Sequence, residues 1–260
     1  MAQILTMTTD FGVSDGYVGA MKGVVYGISP QILVVDNTHL VPPQDIMAGA
    51  FAMYSACRYF PAGTVHVGVV DPGVGSDRRG IVVETDRFFY VGPDNGLFSA
   101  VYANEAVKRI VEIENKAFML STVSSTFHGR DIFAPVGAHL LQGVRCDDIG
   151  NEVMNPITHD LWAVKEENDC VTGKVVCVDH FGNVVTMISR SYIDASRPFE
   201  VLAGDTRFDC VLETYAQVGF GESLVLYGSL DTIEIAVNGG SAAHALRLGR
   251  GDNIRVRYLG

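Results

Sequence analysis

Asp71 and Arg78 stand seven residues apart in Asp71-Pro72-Gly73-Val74-Gly75-Ser76-Asp77-Arg78, and His128 follows in Phe127-His128-Gly129-Arg130. A carboxylate, a guanidinium and an imidazole that converge on one point can bind and polarise a water molecule. Arg79 adjoins Arg78, so spacing alone does not choose between the two arginines. The structural alternative is that Asp71-Pro72-Gly73 forms a type I or II turn, with Pro and Gly present for backbone reasons. Asp10, in Thr8-Thr9-Asp10-Phe11-Gly12, could grip a vicinal diol as the acidic residue of dinucleotide folds grips ribose, or could bond nearby amides in a turn. In Asp179-His180-Phe181-Gly182-Asn183, Phe181 offers a flat surface for an aromatic base with Asp179 and Asn183 as polar partners; the alternative is a hairpin turn. Asn238-Gly239-Gly240-Ser241-Ala242-Ala243 could turn backbone N–H groups toward an anion or carbonyl, although such turns also occur in non-catalytic binding modules.

These loops need elements to hold them. In the first 155 or so residues strand and helix signals alternate. Ile4 to Thr9 reads as a strand. Tyr17, Val18, Met21, Val24 and Val25 fall at helical spacing, with Ser14 or Asp15 as cap. Ile32 to Val35 reads as a short buried strand, Asp45 to Tyr59 as an apolar helix and Thr64 to Val70 as a strand. Gly80 to Glu84 and Phe88 to Val91 read as a hairpin around Thr85-Asp86. Leu97 to Ala106 is helical, Val107 to Ile113 a strand and Asp131 to Gln142 a helix. The pattern predicts a βαβ-type sheet covered by helices, with Asp10, Asp71, Asp94, Asn95 and His128 at strand or helix ends. From Val171 onward helical periodicity nearly vanishes, and short strands with Gly-rich turns predict a small β-barrel or sandwich. The fold class is therefore α/β: an N-terminal α/β domain over 1–155, a linker over 156–169 and a smaller β-rich domain over 170–260.

Bulk properties narrow the function. The chain has 260 residues, 48% hydrophobic, and a formal charge of −11 from 19 Lys and Arg against 30 Asp and Glu. With no basic run, nucleic acid is not an expected partner. No run of eighteen apolar residues is present, so no membrane span is expected, and the first residues lack the basic and apolar regions of a signal peptide. Cys57, Cys146, Cys170, Cys177 and Cys210 make no C-x-x-C pair and several lie in apolar stretches, as in Val175-Val176-Cys177-Val178. Buried free thiols and a reducing cytoplasm are expected. The seven histidines are scattered, so no metal site is expected. Phosphate-loop, Rossmann-glycine and nucleophile-elbow signatures are missing.

Taken in order, Thr9-Asp10-Phe11-Gly12, Val70-Asp71-Pro72-Gly73-Val74-Gly75, Gly92-Pro93-Asp94-Asn95-Gly96-Leu97, Thr126-Phe127-His128-Gly129-Arg130-Asp131, Phe181-Gly182-Asn183 and Asn238-Gly239-Gly240-Ser241-Ala242 resemble the S-adenosyl-L-methionine hydroxide adenosyltransferases, relatives of fluorinase and chlorinase. The resemblance runs nearly end to end and implies an α/β N-terminal and a β-rich C-terminal domain. It implies nucleophilic substitution at C5′ of S-adenosylmethionine by water, giving adenosine and methionine without a cofactor. It assigns water handling to Asp71, Arg78 and His128, and the ribose diol to Asp10. Asp179, Phe181 and Asn183 are assigned to the methionine portion and base, Ser229 to the methionine, and Asn238, Gly239 and Ala242 to the adenine. Phe11, Asn95 and Phe127, in the same loops, are expected beside the substrate. The halogenase branch replaces the Asp, and carries Arg where this chain has Leu230 and Val237; both a halide-using transferase and a non-catalytic adenosine-binding module stand as alternatives. The family assembles as trimers with sites between the N-domain of one subunit and the C-domain of the next.

Overall fold

The computed structural model describes residues 3–259, apart from the side chain of Leu161. Met1, Ala2 and Gly260, the outer ends of the two expected domains, lie outside the described residues. The chain divides into two units, Met1–His159 and Asp160–Gly260.

The first unit contains β1 (Ile4–Thr9), α1 (Tyr17–Ile28), β2 (Leu33–Thr38), α2 (Ile46–Cys57), β3 (Val65–Val69), β4 (Gly80–Thr85), β5 (Phe89–Pro93), α3 (Ser99–Asn104), β6 (Val107–Glu112), α4 (Ala134–Leu141) and α5 (Cys146–Ile149). The strands form one sheet in the order β2-β1-β3-β5-β4-β6. β1, β2, β3 and β5 run parallel, while β4 is antiparallel to both neighbours. Every residue of β3 is buried, as expected when helices cover both faces of a parallel strand and alternation disappears. Successive residues show the two faces. Val67 packs toward Gly137 of α4, and Gly68 toward Met53 of α2. α1 packs with α4, and α2 with α3.

Two local expectations need correction. Ile32 to Val35 was expected to be a buried strand, yet β2 is the sheet edge: Ile32 is buried just before it, while Leu33 is exposed. Its apolar residues mark contact with one neighbour and not burial on two faces. The cap of α1 is Gly16, with no side-chain bond, rather than Ser14 or Asp15. The helix start is set by packing, because Tyr17 makes edge contacts with Phe11 and Phe127.

The second unit contains β7 (Lys165–Glu167), β8 (Cys170–Val178), β9 (Val184–Ser189), β10 (Phe199–Ala203), β11 (Thr206–Phe208), β12 (Ser223–Tyr227), β13 (Thr232–Val237), α6 (Ala242–Leu246) and β14 (Asn253–Tyr258). Their order is β11-β10-β14-β8-β9-β13-β12, with β7 beside β8. β8 turns a corner: its first half pairs with β14, and its second half, bulged between Val175 and Cys177, pairs with β9. One strand thus belongs to two sub-sheets, which close over a core that includes Val175, Ile188, Ile235 and Ile254. The expected linker carries structure, since Asp160–Trp162 is a 3₁₀ turn and β7 pairs with β8. Cys57 and Cys146 are buried, whereas Cys177 at the bulge is only half-buried.

Candidate active site

In the sheet of the first unit, β1 connects outward to β2, and the chain then passes β1 again to place β3 on its other side. That reversal opens a crevice beyond the carboxyl ends of β1 and β3, where open α/β sheets bind ligands. Asp10 follows β1 and Asp71 follows β3. The crevice is a cleft of about 270 Å³ lined in part by Asp10, Phe11, Asp71, Phe127 and His128. Sequence reasoning had marked each of these five. It had not marked Gln44, which also lines the cleft. Gln44 has φ +65°, and its N–H donates to Asp10 Oδ2 at 2.8 Å. Nothing in its local sequence signals that contact, which depends on the approach of the segment after β2.

The expected turn at Asp71-Pro72-Gly73 is present, and it leaves the Asp71 carboxylate facing the cleft. Val74 N–H donates to Asp71 O, and Ser76 N–H to Gly73 O, so the segment is a tight double turn that presents the Asp71 carboxylate. Arg78 Nε donates to Asp71 Oδ1 at 2.9 Å, and Arg78 Nη2 to Asp71 Oδ2 at 2.5 Å. This forked pair is the strong form of the Arg–carboxylate bond. Only 10% of the Arg78 side chain and 5% of the Asp71 side chain reach solvent. The guanidinium also lies 5.2 Å from the ring centre of Phe133. The same Nη2 meets His128 Nδ1 at 2.7 Å. Arginine can only donate, so Nδ1 must accept, and the ring proton is placed on Nε2 by the network. Burial, then the Arg78 charge, push the His128 pKa below the usual 6.5, against an opposing pull from Asp71 and Asp131.

The tandem arginines resolve by alternation: in the extended chain entering β4, neighbours point to opposite sides. Arg78 faces Asp71. Arg79 faces Asp94, with Nε donating at 2.9 Å, and Arg79 Nη2 also donates to Asn155 O. Asp94 is buried, and its Oδ1 accepts Ile157 N–H. Asn95 Nδ2 donates to Val70 O at 2.9 Å, beside Asp71, and Asn95 is not among the cleft-lining residues. The Gly92-Pro93-Asp94-Asn95-Gly96 loop therefore braces the Asp71 turn and fastens the segment around 155–159.

His128 is delivered by a wide π-type turn, Gly129–Phe133, that runs into α4; such turns recur at functional sites. Gly129 has Met21, Phe11 and Val69 packed 3.3–3.4 Å from where a Cβ would stand, so the turn sits close against β3 and α1.

In the second unit, the Asp179 carboxylate is engaged by its own loop. Oδ1 accepts the N–H groups of Phe181 and Asn183, and Oδ2 accepts Asn183 Nδ2 at 2.9 Å. The loop thereby holds Phe181 out, 74% exposed. Phe181, Asn183, Tyr215, Asn238 and Gly239 line a cavity of about 550 Å³. Tyr215 escaped the sequence reading; its hydroxyl donates to the buried Glu234 at 2.7 Å. Two marked residues lie elsewhere. Ala242 is fully buried in the core of the unit. Ser229 is in the turn that opens β13, whereas Asn238 follows its far end, a separation of roughly 20 Å at the rise of a strand.

The fold and cleft define a two-unit α/β protein with a polar cleft at a sheet switch point, beside which Arg78 pairs with Asp71. Residues 5–150 match the model of the SAM hydroxide adenosyltransferase N-terminal domain, and residues 173–255 that of the SAM hydroxide adenosyltransferase C-terminal domain. The chain belongs to this family. It is 41% identical over 256 residues to the (R)-S-adenosyl-L-methionine hydrolase of Salinispora tropica, with 97% of each chain covered. Similarity to the fluorinase of Actinopolyspora mzabensis is lower, at 25% over 289 residues. The crystal structure of an uncharacterized conserved protein from Thermotoga maritima matches with a TM-score of 0.87 and 36% identity, covering 98% of this chain and all of the other.

Proposed function

We propose that this chain is an S-adenosyl-L-methionine hydrolase, in which water attacks C5′ and releases adenosine and L-methionine. The observation that carries this reading is the continuous Asp71–Arg78–His128 network at the switch-point cleft. The 41% identity to a named hydrolase supports it.

The chemistry follows from the substrate. A sulfonium is already an activated leaving group. The C5′–S bond breaks with its electron pair going to sulfur, methionine departs as a neutral thioether, and no acid is needed on that side. Water is the weak partner, with a pKa of about 15.7 in bulk. In-line placement of its oxygen against C5′ supplies the main proximity gain. With Nδ1 held by Arg78, His128 offers an Nε2–H donor to that oxygen and favours the hydroxide as it develops. Asp71 is then the acceptor left for the proton of the water. Asp10 takes the ribose diol, and Phe11 and Phe127 flank it. Phe181, Asn183, Asn238 and Gly239 receive the base. No metal or organic cofactor takes part, so turnover should survive chelation.

The same reading includes a cytoplasmic enzyme and a homotrimer whose sites join the N-terminal unit of one subunit to the C-terminal unit of the next. Ligand-like clusters in both units support it. Asp71 argues against a halide transferase, because a carboxylate beside a bare halide is repulsive. Turnover by Asp71→Asn and Arg78→Ala tests the proposal: each should lose about 10²-fold or more in kcat, and near-normal rates in both would overturn it.

A further inference from the structure

Thr9 precedes Asp10 and is fully buried, yet its hydroxyl is the centre of a polar chain. Phe11 N–H donates to Thr9 Oγ1 at 3.2 Å, and Thr9 Oγ1 lies 2.8 Å from His39 Nδ1. The other ring nitrogen of His39 lies 3.0 Å from Asp36 Oδ1, in contact but without good hydrogen-bond alignment. Asp36 Oδ2 is held by Lys22 Nζ at 2.6 Å. The backbone closes the circuit: Gly12 N–H donates to His39 O at 2.7 Å, and Val41 N–H to Thr9 O at 3.3 Å. The Thr9-Asp10-Phe11-Gly12 loop is thus fastened to His39 at both ends, by the imidazole at Thr9 and by the carbonyl at Gly12. Asp10 is the residue carried in between.

Proton accounting gives the chain one direction. The Asp36 carboxylate, 3.0 Å from Nε2, favours the ring proton on that nitrogen by its charge and so leaves Nδ1 to accept. The Thr9 hydroxyl then donates to Nδ1, and its lone pair takes the Phe11 amide. The Thr9–His39 bond at the centre is buried, where a matched donor and acceptor hold a single geometry. His39 is only 6% exposed and is not among the cleft-lining residues, so it acts through the loop.

We propose that His39 is a positioning residue for the nucleoside site: through Thr9 it fixes the turn that aims the Asp10 carboxylate at the ribose diol. This rests on the reading of Asp10 given under Proposed function. The two ring nitrogens allow a specific test. Asparagine at 39 places an amide near the Nδ1 position and can keep Thr9. Glutamine reaches toward Nε2, keeps Asp36 and releases Thr9. Adenosine affinity is measured by calorimetry for the wild type, Asp10→Ala, His39→Asn, His39→Gln, Thr9→Ser and Thr9→Val, with a thermal melt of each. His39→Gln and Thr9→Val should weaken adenosine about tenfold, the effect of one lost buried hydrogen bond. His39→Asn and Thr9→Ser should stay within about twofold, although all four substitutions lower the melting temperature. Equal affinities for His39→Asn and His39→Gln would reduce His39 to a structural residue and overturn the proposal. If Asp10→Ala weakens binding while His39→Gln and Thr9→Val do not, only the role of His39 fails. If Asp10→Ala binds like the wild type, the diol reading fails and takes this proposal with it.

Discussion

Arg78 decides the protonation pattern of the candidate site. It is a donor to Asp71 and to His128 at once, so it binds the carboxylate tightly and leaves the imidazole with its proton on the outer nitrogen. An NMR titration of His128 should give a pKa below 6.5, since burial and the Arg78 charge both disfavour the imidazolium. Arg78→Gln should raise that value and Asp71→Asn should lower it further, because Asp71 favours the charged ring. The linkage has a definite sign. A histidine whose folded pKa is depressed contributes stability that is fully present above its unfolded value and is lost as pH falls through the folded value. Turnover should follow the same direction, level at neutral pH and falling only as pH passes the depressed His128 value, below 6.5; a rise on acidification would contradict this assignment. Asp71→Asn also leaves a guanidinium nearly buried without its partner, and should lower unfolding free energy by about 3 kcal/mol in denaturant titrations. Arg78→Lys keeps the charge but loses the fork, so it should not restore activity.

At the scale of elements, the site depends on how two turns press together. Gly75 has φ +79°, and a Cβ there would collide with Ser125 O, in the segment just before Phe127 and His128. Gly75→Ala should destabilise the fold by roughly 1–3 kcal/mol and cut turnover out of proportion to its distance from the cleft. A melt and a rate measured together check it, and a stable, active variant would contradict the coupling. Asp131 ties the same segment from the other side: it is fully buried and accepts Ser124 N–H at 2.8 Å. Much of this was legible in the sequence. Asp-Pro-Gly announced a turn, and apolar runs announced the strands that end at Asp10 and Asp71. The choice between Arg78 and Arg79 was not legible in spacing, and only the family resemblance pointed to Arg78, because alternation assigns the two to opposite sides only once the register of β4 is known. Nor was the role of Asn95, whose amide finds Val70 O, a partner 25 positions away. His39 and Gln44 escaped for the same reason: each acts through a contact made only when β1 and β2 are paired.

At the scale of the whole molecule, the loss of helical periodicity after Val171 was enough to read a second, β-rich unit. The corner in β8 was not readable, because a bulge that lets one strand serve two sub-sheets leaves no period of its own. The assembly proposal makes two predictions. Sedimentation should give a mass near three times the 28.1 kDa chain. If each site draws on two subunits, mixing inactive Asp71→Asn with inactive Phe181→Ala chains should restore part of the activity, because some mixed trimers then contain an intact site. A monomer, or no recovery after exchange, would contradict shared sites.

The central claim is that water supplies the oxygen bonded to C5′. Incubating the protein with S-adenosylmethionine in ¹⁸O-labelled water containing chloride, and weighing the nucleoside product by mass spectrometry, tests it most directly. The account expects adenosine carrying the label at its 5′-hydroxyl, together with unlabelled methionine. A 5′-chlorinated nucleoside, unlabelled adenosine, or intact substrate recovered with the protein would contradict it.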